Sequence, residues 1–425
     1  MLSKKVYSTA MIVMMAASGG APVMAQETFD WRAHDGTDIN VMMSRHPWQE
    51  AIEPFIPEFE ELTGITVNLT KLPEQQFMTR VAADLTSGTF SQDVFMTQYY
   101  DAPTFQAEGW TADLQPYLDA AEAAGYDWED FFPAARDVSS IGGSYVDRIA
   151  ITSEAQVLVY RTDILDDLGI EVPSTFDELA AAAERISEET DFAGFTLRGG
   201  ASNWWPFYGY VRSFGGDYVT VPDLEPVIDT PDASAALAMY DRLAATAPRG
   251  VTSYDWDEIN TAMLSGQAAM FLDSSVIFAR LQNPELSNVV GKVGIAPMVA
   301  GPAGPVGHSH FWSISLSATA PQPEAGWYFI QWATSPEMQG RIALEGVLGA
   351  RASSWEVDGL DAVFPAEFID AVKTSLDTAV ISPANLKFFE LMDPLRVQIQ
   401  EAIMDNVEPA SALEGVQEEW ARILQ

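Results

Sequence analysis

Apolar positions along this chain fall into short runs of two kinds that follow one another in order. Asp38 to Met43 is a strand-length apolar run, after which Ile52, Phe55, Ile56, Phe59 and Leu62 repeat at helical spacing. Pro54 and Pro57 set the start of that helix near Pro54 or bend its first turn. Gly64 ends it, Ile65 to Leu69 returns as a strand, Phe77 to Leu85 is helical, and Asp93 to Met96 is a further strand. This βαβα order predicts a largely parallel sheet covered by helices on both faces. Further on, the helix starts are written in cap residues. Thr175-Phe176-Asp177-Glu178 is a capping box before the periodic Leu179, Ala182, Ala183 and Ile186, while Thr230-Pro231 and Ser335-Pro336 each pair a cap with proline at the first helical position.

The segment from Trp256 to Ser275 holds the pattern in its shortest form. Ile259, Ala262 and Met263 mark a helix, Gly266 stops it, and Ala268 to Leu272 is an apolar strand that runs into Asp273, Ser274 and Ser275. Polar residues at a strand's carboxyl end are placed where ligands bind in open α/β sheets.

Charge and composition narrow the classes. Against 61 acidic residues stand 22 lysines and arginines, a net charge of -39, and such a surface excludes nucleic acid as a partner. With 425 residues, 48% of them hydrophobic, the chain exceeds what one core serves, so two lobes are expected. It has no cysteine, hence no disulfide framework, thiolate chemistry or lipid-acylation site. Lys4 and Lys5 precede a short apolar core from Ala10 to Ala17, and Val23-Met24-Ala25 offers small residues for cleavage, so residues 1–25 are expected to be a signal peptide and the protein to be periplasmic.

Several segments carry a likeness to a known family. Val159-Tyr160-Arg161-Thr162-Asp163 is followed by Leu168-Gly169-Ile170 and by Val172-Pro173-Ser174-Thr175-Phe176. Phe214-Gly215-Gly216-Asp217 precedes the helix from Thr230, and Gly294-Ile295-Ala296-Pro297 precedes Trp312-Ser313-Ile314-Ser315. In this order and spacing, together with Trp256 to Ser275, they resemble solute-binding protein family 1, the sugar-binding, maltose-binding-protein-like type of bacterial ABC importers. The resemblance implies an α/β, two-lobed periplasmic binding protein fold, with mostly parallel sheets flanked by helices and lobes joined by a multi-strand hinge. Lobe 1 would comprise 27–150 and 308–375, lobe 2 151–307 and 376–425. It further implies a monomer that needs no cofactor, closes around a neutral carbohydrate (a mono- or disaccharide or a polyol), and delivers it to ABC permease subunits driven by a cytoplasmic ATPase.

Candidate ligand contacts follow the strand ends. Ser44, Arg45, His46, Trp48 and Gln49 form a loop after the first strand, suited equally to hydroxyl binding or to a plain helix cap. Gln98, Tyr99 and Tyr100 follow the Asp93 strand in the same way. Glu154, ahead of the apolar Val157-Leu158-Val159-Tyr160, resembles a ligand acceptor at the first lobe crossing, with a solvated hinge carboxylate as the plainer reading. Arg198, Asn203, Trp204 and Trp205 combine planar polar groups with indoles that pack on sugar C–H faces, although aromatic stripes are more often core, and the two tryptophans are expected not to point inward together. Asp255 at a helix start, Asp273, Ser274, Gly216, His308, His310 and Trp312 complete one wall, and Arg351 is added by resemblance. No metal site is expected, since His308 and His310 lack further ligands at suitable spacing.

Two alternatives stay open on the sequence. Arg45, Arg198 and Arg351 could clamp a phosphorylated polyol such as glycerol 3-phosphate, and a glycoside hydrolase needs only two carboxylates, which leave no signature. No serine elbow, phosphate loop or metalloprotease helix supports another enzyme class.

Overall fold

The computed structural model describes residues 29–123, 125–143 and 145–425. The expected signal peptide lies outside the described residues. Among these, nine strands occur: β1 (Asp38–Ser44), β2 (Thr66–Leu72), β3 (Val94–Gln98), β4 (Ile149–Ala150), β5 (Glu154–Arg161), β6 (Met270–Ser274), β7 (Val293–Ala296), β8 (Ser309–His310) and β9 (Trp312–Leu316). They form two sheets. The first has the order β2-β1-β3-β9-β4, and the second is built on β5, with β6 and β7 at its sides and β8 against its first residues.

The local grammar holds with small shifts. The first helix is broken as its prolines require, into Pro47–Ile52, a 3-10 turn at Glu53–Phe55 and Ile56–Thr63, and it ends at Gly64 with φ +74°. At Thr175 both halves of the capping box form: its hydroxyl accepts from the Glu178 amide at 3.2 Å, and the Glu178 carboxylate accepts from the Thr175 amide at 3.1 Å. Thr230 and Ser335 cap their proline-led helices in the expected way. Helix Trp256–Leu264, Gly266 at φ +79° and strand β6 reproduce the pattern read between Trp256 and Ser275.

The sheets are less parallel than the βαβα order suggests. β1 runs parallel to β2, from Asp38 opposite Thr66 to Ser44 opposite Leu72, and parallel to β3. β9 is antiparallel to β3 and β4, while β6, β7 and β8 are all antiparallel to β5. The reason is the hinge. A strand returning from the other lobe starts where its neighbours end, so Trp312 at the head of β9 lies opposite Gln98 at the tail of β3.

Val41, Met43, Phe95, Met96 and Ile314 bury the first sheet under helices that include Pro323–Ala333. In the second, Val157, Leu158, Val159, Phe271 and Leu272 are buried. Helix Ala366–Thr378 packs on β5 and β7, so the expected lobe boundary at 375 falls inside a helix that sits on the second sheet. The C-terminal helices Phe388–Ile403 and Pro409–Ile423 pack on each other and on helix Pro231–Ala244.

Arg351 is a structural hub in this frame. Fully buried, it donates from Nε to the Thr334 carbonyl (2.7 Å), from Nη1 to the Asp127 carbonyl (2.7 Å) and Asp130 (3.2 Å), and from Nη2 to the Tyr126 carbonyl (2.9 Å). Its guanidinium also lies 3.9 Å from the centroid of the Phe131 ring. Arg351→Met leaves these acceptors buried and unpaired, and the expected loss is about 3 kcal/mol of unfolding free energy. Urea denaturation checks this; a loss below about 1 kcal/mol would remove Arg351 from its structural role.

Candidate functional site

Two chain segments cross side by side between the sheets. Residues 151–153 join β4 to β5, and Phe311 joins β8 to β9, with the Ile151 amide donating to the Trp312 carbonyl at 2.8 Å. A third stretch lies beside them: the Ser309 amide donates to the Val380 carbonyl at 2.9 Å and the Val380 amide to the Gly307 carbonyl at 3.0 Å. Antiparallel pairing of Glu154 with His310 therefore fixes both side chains at the point where the lobes meet.

A cavity of about 350 Å³ opens at this point, walled by residues of both sheets and of the C-terminal helix Phe388–Ile403. Of the residues expected from the sequence, His46, Gln98, Glu154, Arg198, Trp204, Trp205, His310 and Trp312 line it. Trp204 and Trp205 both reach the cavity, as the expectation that they would not point into the core together allows, because the helix Trp204–Phe214 begins at its edge and both side chains lie in its first turn.

The remaining candidates lie elsewhere, and local packing explains each. Arg45 is exposed, Trp48 is fully buried in core, and Gln49 donates to Glu53 at 2.5 Å. Ser44 ends β1 as a buried residue. Tyr99 turns inward to bond Ser382 (2.6 Å) and His308 (3.0 Å), and the His308 ring is held by the Trp205 carbonyl, so neither faces the cavity. Asn203 donates to the Arg396 carbonyl at 2.9 Å, and Gly216 packs against Val211 and Ala233. Asp255 forms a capping box with Glu258 and accepts from Ser202. Arg351 belongs to the hub described above.

Asp273 and Ser274 stand one layer behind the wall and hold it in place. Asp273 takes Arg198 in a two-point ion pair, Nε to Oδ2 at 2.8 Å and Nη2 to Oδ1 at 2.6 Å. The Arg198 guanidinium lies 4.9 Å from the centroid of the Trp205 ring and 5.2 Å from that of Trp256. Ser274 donates to Glu154, which also accepts from Thr152 at 2.9 Å and lies 3.2 Å from His46 Nε2. The Trp48 amide donates to His46 Nδ1 at 3.1 Å, which leaves the ring proton on Nε2, facing Glu154. Burial alone would raise the Glu154 carboxyl, but His46, His310 and Ser274 hold it down to about 2, so it is ionised.

Tyr100, expected with Gln98 and Tyr99 at the strand end, also lines the cavity, as do Glu74, Gln75, Met78, Ala201, Ser202, Trp256, Phe389, Met392, Asp393 and Arg396, which were not singled out as contacts from the sequence. Glu74 opens a helix, a position where an acid reads as ordinary helix stabilisation. Phe389 to Arg396 belong to a C-terminal helix whose approach to the cleft has no local signature. Trp256 adjoins Asp255, a named candidate, at the same helix start.

Burial holds the His308 ring down to about 3 and His310 down to about 4, so both are neutral when folded. The unfolded chain takes up those protons near 6.5, and stability attributable to each ring falls as pH drops from 6.5 toward 4, by up to about 1.4 kcal/mol per pH unit. His310→Gln, whose amide oxygen can still accept from the Trp205 indole, is expected to flatten the profile by that amount between pH 6 and 5. Parallel wild-type and variant profiles in urea unfolding would contradict this.

Comparison with known proteins places this arrangement. Residues 46–340 match the family model described as bacterial extracellular solute-binding protein. The erythritol/L-threitol-binding protein of Mycolicibacterium smegmatis is 30% identical over 342 residues, covering 75% of this chain and 70% of that protein. The mannitol-binding protein of Pseudomonas aeruginosa is 26% identical over 70% of each. The solute-binding protein of Agrobacterium radiobacter K84, solved in complex with ribitol, superposes with a TM-score of 0.83 at 26% identity, covering 92% of this chain and 99% of that one. Maltose-bound MalE3 of T. maritima reaches the same TM-score at 22% identity and speaks to the fold alone. With the family model matched from His46 to Gly340 and its two sheets meeting at a hinged cavity, the chain belongs to the bacterial extracellular solute-binding proteins.

Proposed function

We propose that this chain captures a small polyol or single sugar by closing its lobes, and presents it outside the cytoplasmic membrane to the permease subunits of an ABC importer driven by a cytoplasmic ATPase. It would act as a monomer and catalyse no reaction. The observation that carries this reading is the cavity itself. Its volume of about 350 Å³ lies at the small end of the roughly 300–1,000 Å³ found for small-ligand pockets, which suits a compact polyol or single sugar. Four indoles, Trp204, Trp205, Trp256 and Trp312, offer surfaces for C–H faces, while Glu154, His310 and Arg198 offer acceptors and donors for hydroxyls.

Contacts across the cleft support capture by closure. Tyr100, beside the first sheet, stacks on Phe388 of the C-terminal helices with ring centroids 4.8 Å apart, and Glu50 pairs with Arg280 at 2.8 Å. A ligand touching both walls would favour this closed arrangement over an open one by its differential affinity. The phosphate clamp has no such support. Arg45 is exposed, Arg351 is buried in its own network, and Arg198 is already neutralised by Asp273. Relatives named for erythritol, threitol and mannitol, and a structural neighbour holding ribitol, point to the same ligand class.

Thermal unfolding and calorimetric titration against erythritol, ribitol, mannitol, maltotriose and glycerol 3-phosphate test the reading. At least one of the three polyols is expected to stabilise the protein, by about 2.7 kcal/mol at a hundredfold excess over its Kd. Maltotriose and glycerol 3-phosphate are expected to leave the midpoint unmoved. Stabilisation by either of these, with no response to any polyol, would overturn the proposal.

A further inference from the structure

The charges around the cavity do not balance, and the imbalance has one sign. Each guanidinium in its wall has a carboxylate partner of its own: Arg198 is held by the buried Asp273 through two bonds, and the half-buried Arg396 meets Asp393 through Nε at 2.9 Å. Glu154 is ionised and faces the imidazole of His46. Glu74 alone among the lining acids has no hydrogen bond or ion pair among the described residues. The buried Trp256 indole N–H, also in the wall, is likewise without a partner. Tyr100 joins the four indoles around this space. Aromatic faces carry a negative quadrupole, so a box of rings with one uncommitted carboxyl is an environment for a cation and a poor one for an anion.

From this geometry we propose that the cavity reads ligand charge through Glu74: it binds a polyol bearing a protonated primary amine more tightly than the neutral polyol, and rejects the corresponding carboxylate. This rests on the polyol reading given above and adds to it the side of the ligand that faces helix Glu74–Thr86. The ammonium would sit between Glu74 and the rings and donate to the carboxylate, while the hydroxyls keep the donors and acceptors at the hinge. No bond is made or broken.

The carboxyl of Glu74 is half-buried where it lines the cavity, and desolvation there raises it to about 7. Arg198 opposes the rise, whereas Asp257 and Asp255 from the start of helix Trp256–Leu264, and Glu154 from β5, reinforce it. The ligand's amine stays protonated across neutral pH, so it is Glu74 that titrates. Below pH 7 the carboxyl takes up a proton and the amine loses its partner; above pH 7 the ion pair is complete. The advantage of the amine over the neutral polyol therefore grows from pH 6 to pH 8.

Calorimetric titration of the full chain with D-glucitol, D-glucamine and D-gluconate at pH 6, 7 and 8 tests this. Glucamine is expected to bind at least about tenfold more tightly than glucitol at pH 8, with a smaller ratio at pH 6 and no measurable gluconate binding. In Glu74→Gln, which keeps the shape and a hydrogen-bonding group, the ratio of glucamine to glucitol affinity is expected to fall to near unity, whatever the change in glucitol affinity itself. Glucitol binding with glucamine no tighter at pH 8, or an undiminished ratio in Glu74→Gln, overturns the charge reading and leaves the polyol reading standing. Binding of none of the three, in a chain that also ignores erythritol, ribitol and mannitol, overturns both.

Discussion

Glu154 is the constraint on which the site depends. A carboxylate this buried is tolerated only when polar groups surround it, and here Thr152 and Ser274 donate to it while His46 Nε2 stands 3.2 Å away, from three separate parts of the chain. Thr152 lies in the crossing itself, Ser274 ends β6 of the second sheet, and His46 follows β1 of the first. One side chain thus ties the hinge to both lobes. Its pairing partner in the strand ladder, His310, is positioned by the same register and kept neutral by burial.

The second organising interaction is the pair of Arg198 with Asp273. It neutralises the most prominent cation in the cleft and holds the guanidinium flat between the rings of Trp205 and Trp256. A residue that in isolation suggests anion binding becomes part of an aromatic wall. Ligand choice follows from this, since both guanidinium groups of the cavity wall already have a carboxylate beside them, while Glu74 has no such partner among the described residues.

Much of the fold is legible before any coordinates. The prolines at 54 and 57, the capping box at Thr175 and the glycine at 266 act through steric and hydrogen-bonding preferences that reach only a few residues, and each element forms where those preferences place it. Strand direction is less legible. Val157 to Tyr160 announces a buried strand, yet whether its neighbours run with it or against it depends on how the chain re-enters across the hinge. The site divides in the same way. His46, Gln98, Glu154, Arg198 and Trp205 follow from strand ends and an aromatic run. Trp48, Gln49, Tyr99 and His308 satisfy the same rule but turn away from the cavity, because packing and local hydrogen bonds draw them in: Gln49 to Glu53, and Tyr99 to His308, whose ring the Trp205 carbonyl holds.

The sequence by itself determined the local elements, the excess of acidic charge, the absence of thiol chemistry and the family, since these rest on residue identity, short-range periodicity and ordered motifs. Only the tertiary structure decided which polar groups are free. Arg351 looks available until its acceptors at 126, 127, 130 and 334 gather around it, and Glu74 looks like an ordinary helix-start acid until Trp256, Arg198 and the C-terminal helix meet it around one cavity. The physical reason is that a charge's role is set by its partners and its desolvation. Both come from segments hundreds of residues apart, brought together only when the two sheets meet.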